Sequence, residues 1–202
     1  MGRPREFDEQ QVVTAAKEAF WAHGYAGTSL AELMTATGLG KGSLYGAFGD
    51  KHQLFVRTFD EYCRDALAGV EAQLTGDGPA YARLVAHIRE AAESTIADDA
   101  RRGCFLAKGT AELADIDPAV SERVRLTFAR LGELLTDCVA AAQREGAVAA
   151  DVEPGQLAAT VLATLRGIEA LGKGGAEPAT LRAIAETTIN LLPRTDRAPH
   201  PA

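Results

Sequence analysis

Aromatic residues make up only 6% of the 202-residue chain. No segment keeps the two-residue alternation of a half-buried strand for long, so a β architecture is not expected. No apolar run reaches the roughly 18 residues a membrane helix needs. The first ten residues, MGRPREFDEQ, lack the apolar stretch of a secretory leader. Cysteine is scarce: Cys63, Cys104 and Cys138 are odd in number, far apart, and form no CxxC or Cys/His spacing. A disulfide framework and a zinc site are therefore not expected, and a reducing cytoplasm suits the chain. His23, His52, His87 and His200 show no metal-like pairing, and GxSxG, HExxH and phosphate-loop motifs are all missing. An enzyme thus has no visible chemistry to work with, and neither a cofactor nor a metal is expected.

What is present is alanine, leucine and glutamate. The chain is 47% hydrophobic and 24% charged, an ordinary balance for a globular protein of one domain or two small ones. The net charge of −7 at first speaks against nucleic acid. Its distribution changes that. Residues 1–60 hold six Lys/Arg against seven Asp/Glu, while the remainder hold 15 against 21. The acidity lies mostly in the C-terminal part, and a DNA-binding module needs only a local basic face.

Apolar spacing and cap signals predict an all-α chain of about nine helices. After a short arm with Arg3 and Arg5, a first helix is expected from Asp8 to His23, ended by Gly24. A second starts at Ser29, whose partner Glu32 completes a capping box, and stops at Gly38. A short third helix covers 40–46, and a long fourth runs from Asp50 to Leu74. Five more follow at about 79–98, 103–114, 118–145, 153–173 and 178–192. The tail, 193–202, is expected to be disordered.

The stretch GLGKGSLYGAFGDK, residues 38–51, poses a question, because glycine costs about 1 kcal/mol against alanine inside a helix. A helix, a tight glycine turn and a second short helix are the parts of a helix-turn-helix. The second helix of that motif lies in the major groove. Gly40, Gly42 and Gly46 leave no bulk on such a face, while Leu39, Leu44 and Phe48 anchor the helix from behind. Lys41 can donate to guanine or to phosphate, and the Ser43 and Tyr45 hydroxyls suit phosphate oxygens. Thr28 and Lys51, each at the start of a helix, are placed to grip phosphates on either side.

The run GYAGTSLAELMTATGLGKGSLYGAFGDKHQLF resembles the helix-turn-helix of the TetR family of bacterial transcriptional regulators. The resemblance is close over residues 8–57, and the order and lengths of the later helices also suit the family. It implies a helix-turn-helix domain over 1–50 and a ligand-sensing and dimerisation domain over 51–192. The expected product is a cytoplasmic homodimer, in most cases a repressor, on a palindromic double-stranded operator. By position, Thr28, Lys41, Gly42, Ser43, Tyr45 and Lys51 fall on the family's DNA-contacting stretch. Gly40 departs from the serine or threonine N-cap common there. Helices 8 and 9, AATVLATLRGIEAL and LRAIAETTINLL, are apolar enough to pair with their mates, although an intramolecular core would read alike. A dimeric ligand-binding protein without DNA recognition is the rival reading, separated by salt-sensitive DNA binding.

The resemblance also implies a small-molecule effector in the C-terminal domain. Phe59, Tyr62, Phe105 and Phe128 are candidates to line its site, with a plain core role as the alternative. Cys104 follows a charged loop, DDARRG, at the start of a helix, with Arg101 and Arg102 before it and Lys108 one turn on. Positive charge and a helix N-terminus favour a thiolate. Lys173 is a second partner if helix 8 returns to this region. The RGC-x-x-x-K run is similar to an electrophile- and oxidant-sensing branch of the family. Modification of Cys104 is then expected to loosen DNA binding, with a buried structural cysteine as the alternative.

Overall fold

The computed structural model describes residues 7–195. The expected arm with Arg3 and Arg5, and residues 196–202 of the expected tail, lie outside them. Among the described residues there are nine helices and no strand. They are α1 (Glu9–Gly27), α2 (Leu30–Thr37), α3 (Lys41–Phe48), α4 (Lys51–Thr75), α5 (Ala80–Ala97), α6 (Phe105–Leu113), α7 (Pro118–Arg144), α8 (Pro154–Lys173) and α9 (Pro178–Leu191). None of the described helices is long and apolar enough to cross a membrane.

The chain packs as two compact units, one of residues up to Asp65 with Phe105–Arg125, the other of Ala66–Cys104 with the residues from Leu126 on. Packing thus groups α6 with α1, α2 and α3, although some 40 residues of other helices intervene in sequence.

In the first unit, α1 starts at Asp8, whose carboxylate accepts from the Gln10 and Gln11 amides at 2.8 and 3.3 Å. Its apolar stripe buries Val12, Val13, Ala16 and Phe20. The helix leaves helical geometry at Gly24 (φ 78°, ψ 174°), as the glycine predicts, but one more turn follows, to Gly27. Two partners outside α1 hold that turn, Glu112 and Thr28. Phe20, Phe55, Phe59 and Phe105 are fully buried, and Phe55 meets each of the other three edge-on or stacked at 5.2–5.7 Å. Lys17 on α1 reaches Glu61 on α4 at 2.8 Å, with both side chains largely buried.

In the second unit, α5, α8 and α9 pack on one another. Their core takes in Leu84, Ile88, Val161, Leu165, Ile168, Leu181 and Ala185. Burying the leucine, isoleucine and valine side chains contributes about 1.5–3 kcal/mol each. Residues 193–195 correct the expectation of a disordered tail beginning at 193. Arg194 pairs with Val148 in an isolated antiparallel bridge, and the Ala149 amide donates to the Pro193 carbonyl at 2.7 Å. The turn after α7 has free backbone groups, and this segment satisfies them.

Candidate nucleic-acid interface and sensor cysteine

The helix-turn-helix is built from local signals. At the start of α2 the Ser29 amide donates to the Glu32 carboxylate at 2.6 Å, and the Glu32 amide donates to the Ser29 hydroxyl at 3.2 Å. The Ser29 amide bond, with a smaller contribution from the Ser29 hydroxyl, holds the Glu32 carboxyl below its usual range. Gly38 ends α2 in the left-handed region (φ 69°, ψ 10°), which a glycine adopts without steric cost. Gly40 is the N-cap of α3 and offers no side-chain cap, in keeping with its departure from serine or threonine. Leu33 of α2 and Leu44 and Phe48 of α3 are buried and lock the two helices together.

The outer face of α3 is open. A Cβ added at Gly40, Gly42 or Gly46 would meet nothing within 4 Å. Lys41 and Ser43 are exposed and Tyr45 is half-buried beside them. Lys51 begins α4 with its ammonium 4.5 Å from the centre of the Tyr25 ring, a cation–π contact that fixes the charge near the start of the helix.

Thr28 corrects the sequence reading. Its side chain is fully buried, and its hydroxyl donates to the Gly24 carbonyl at 2.6 Å. That hydroxyl closes the broken end of α1 and is not offered to a phosphate. His52, next to Lys51, pairs with Asp117 at the start of α7. Burial alone would push the Asp117 carboxyl up, but the His52 contact and the amides of Val120 and Ala119 more than offset it, and the net shift is down.

Of the aromatic residues expected to line an effector site, three come together. Phe59 and Phe105 meet edge-on at 5.4 Å, and Tyr62 packs against Phe105 at 5.4 Å and Trp21 at 5.1 Å. Gly109 on α6 admits the Phe59 ring, which would lie 2.4 Å from a Cβ there. These contacts are core packing. Phe128, in the other unit, is half-buried.

Lys108 is directed to the end of α1. Its ammonium donates to the Ala22 carbonyl at 3.0 Å and to the Trp21 carbonyl. Cationic groups belong at such C-terminal carbonyls. Cys104, 8% exposed, has different neighbours. The Arg166 guanidinium donates through Nη1 to its Sγ at 3.1 Å. Glu169, one turn further along α8, hydrogen-bonds the same side chain. Burial pushes the Glu169 carboxyl up, only partly opposed by the Arg166 charge and the Cys104 bond. Lys173 lays its stem across Gly103, so α8 does return to the loop before Cys104. Sequence reasoning passed over Arg166 and Glu169. Their signal was a charged pair three residues apart inside the otherwise apolar run TLRGIEAL.

This architecture, with a helix-turn-helix ahead of a helical bundle, is that of a bacterial transcription regulator. Residues 12–58 match the family described as bacterial regulatory proteins, tetR family. Residues 80–187 match the tetracyclin repressor-like C-terminal domain. The chain belongs to the TetR family, whose members are regulators and not enzymes. It is 28% identical over 193 residues to the transcriptional repressor ComR of Escherichia coli K12, covering 95% of this chain and 92% of that one. It is 35% identical over 108 residues to the repressor BdcR of the same strain, covering 54% and 55%. Among solved structures it is similar to a cysteine mutant of the regulator CifR bound to a 26-base-pair operator duplex. The TM-score is 0.83 at 26% identity, over 95% of this chain and all of that one. A regulator from Chloroflexus aurantiacus superposes with a TM-score of 0.82 at 25% identity, over 92% and 95% of the two chains.

Proposed function

We propose that the chain is a homodimeric repressor that binds a palindromic operator through α3 and releases it when an effector binds or Cys104 is modified. The observation that carries the reading is the α3 surface. Three glycines open a flat strip flanked by the exposed Lys41 and Ser43, and the buried Leu44 and Phe48 hold the helix from behind. A strip without side chains lets the backbone approach base edges, and the polar neighbours supply hydrogen bonds. Lys41, Gly42, Ser43, Tyr45 and Lys51 are the proposed contacts, with residues 1–50 as the reading domain and 51–192 as the sensing and dimerising one. Repressor function is supported by the repressors ComR and BdcR, and DNA binding by the operator complex of CifR.

Helices α8 and α9 are the proposed dimer contact, and the partner DNA implies a cytoplasmic location. Cys104, with Lys173 near its loop, is proposed to be the sensor. Lys108 enters this reading only by holding α1. Fluorescence anisotropy on the DNA upstream of the protein's own gene tests it. Tight, salt-sensitive binding that falls in a Lys41→Ala variant supports the reading. Binding indifferent to salt and to Lys41 overturns it.

A further inference from the structure

The Cys104 neighbourhood holds two buried polar atoms without a hydrogen bond. Arg166 Nε and Glu169 Oε2 are buried, and neither has a hydrogen-bond partner. Oε2 lies 3.0 Å from Arg166 Nη1, but off the line a hydrogen bond requires. An unsatisfied buried polar group costs about 1–3 kcal/mol and calls for an explanation such as a ligand or a reaction. Here a guanidinium N–H without an acceptor, and a carboxylate oxygen engaged only by the Arg166 charge, belong to the two side chains that contact a nucleophilic sulfur. Three side chains from two separate stretches of sequence converge on one point. With Sγ in a residue only 8% exposed, a reagent of two heavy atoms reaches it more readily than a ring.

We propose that Cys104, Arg166 and Glu169 form a reaction site for hydrogen peroxide, in which the thiol becomes a sulfenic acid. The inference rests on the sensor reading of Cys104 and names its oxidant. The Cys104 thiol gives its proton to the Glu169 carboxylate while the Arg166 Nη1–H group stabilises the thiolate. A sulfur electron pair then attacks one peroxide oxygen, the S–O bond forms, and the O–O bond breaks. That oxygen keeps its hydrogen, leaving Cys–SOH. The other oxygen departs as hydroxide, held by Arg166 Nε–H, and takes the proton back from Glu169 to leave as water. Sulfur is oxidised by two electrons and peroxide is reduced. Glu169 returns to its starting state, and burial, which pushes its carboxyl up, suits a group that must hold a proton briefly. Arg166 supplies the fixed donors that the departing oxygen needs.

The test uses the full-length protein with hydrogen peroxide, dimedone trapping and mass spectrometry of all three cysteines. Cys104 is expected to react at least about tenfold faster than Cys63 or Cys138, and Arg166→Gln and Glu169→Gln each to slow it by about tenfold or more. Arg166→Lys, which keeps the charge, is expected to recover part of the rate. Iodoacetamide reports access and thiolate fraction together, because its leaving iodide needs no proton. A peroxide rate that falls further than the alkylation rate in the Gln variants supports the site, because only peroxide needs help for its leaving oxygen. Two rates that fall by the same factor, or a peroxide rate unchanged in both Gln variants, overturn it. Anisotropy on operator DNA separates this from the sensor reading. Oxidised protein that stays bound removes the sensor role and leaves the chemistry standing. DNA release at an unaltered oxidation rate in the variants does the reverse.

Discussion

The Glu112 carboxylate on α6 accepts a hydrogen bond from the Ala26 amide at 3.1 Å, across 86 residues of sequence. It lies directly against Gly24, where any Cβ would collide with it. With Lys108 on the Trp21 and Ala22 carbonyls, α6 thus holds both sides of the break in α1. Glu112→Ala leaves the Ala26 amide without this partner, and Lys108→Met removes a cation from the helix end. Each is expected to cost about 1 kcal/mol in urea unfolding. The turn they hold leads through Thr28 into α2, so operator affinity is expected to fall as well. Unchanged unfolding midpoints for both would show that packing alone holds the turn.

Gly42 separates folding from recognition. Its surroundings are open, so Gly42→Ala meets no clash and is expected to stabilise the protein by about 0.5–1 kcal/mol. The added methyl sits on the proposed groove face, so operator affinity is expected to drop, and Gly42→Leu to abolish binding in a folded dimer. Thermal melts and anisotropy on the same samples check both halves. An alanine variant that is more stable and binds as tightly would refute the close-approach account.

The helix-turn-helix was legible because its signals are local. Ser29 and Glu32 lie three residues apart, Gly38 supplies its own turn, and Leu33, Leu44 and Phe48 show the buried side by spacing. The burial of Thr28 was not legible. Its hydroxyl partners are carbonyls four and nine residues back, brought near only by the break at Gly24. Lys108 read as a neighbour of Cys104 because four residues make one helical turn, but its ammonium goes to the end of α1. Arg166 and Glu169 are 62 and 65 residues from Cys104, and only the packing of α8 beside the loop reveals the cluster. Arg194 looked like tail because its bridge partner, Val148, lies in another turn.

His87 on α5 makes stability depend on acid. Burial and then the nearby Arg166 charge lower its pKa from the ordinary 6.5 to about 4. The unfolded chain therefore binds a proton that the folded chain refuses between those values. This contribution is intact above pH 6.5 and is lost as pH falls towards 4, to a total of about 3 kcal/mol. Urea unfolding at pH 7 and pH 4.5 measures it. A His87→Gln variant is expected to lose less stability over that interval than the parent. Equal losses would mean that other groups carry the acid response.

Among the described residues, Lys17 and Glu61 form the most enclosed ion pair of the first unit. Burial alone would push the Glu61 carboxyl up, but hydrogen bonds from Lys17 and Gln10 more than offset it, and the net shift is down. Lys17→Met leaves Gln10 as the remaining hydrogen-bond donor to that carboxylate, at 2.7 Å. A loss of about 2 kcal/mol is expected by urea unfolding, between the values for exposed and fully buried pairs. The double variant Lys17→Met, Glu61→Met is expected to recover part of it, since no carboxylate is then stranded.

The inclusion of Phe105–Arg125 in the first unit sets the order in which the protein can be made. A ribosome that has released only the first 65 residues has supplied α1, α2 and α3, but neither the Phe105 ring that completes the aromatic core nor the Lys108 and Glu112 that secure α1. The reading head is therefore unfinished until about residue 125 has emerged, after all of the second unit's α5 has already been synthesised. A chain cut short at residue 65 would carry every proposed base and phosphate contact and still lack the parts that hold them in place.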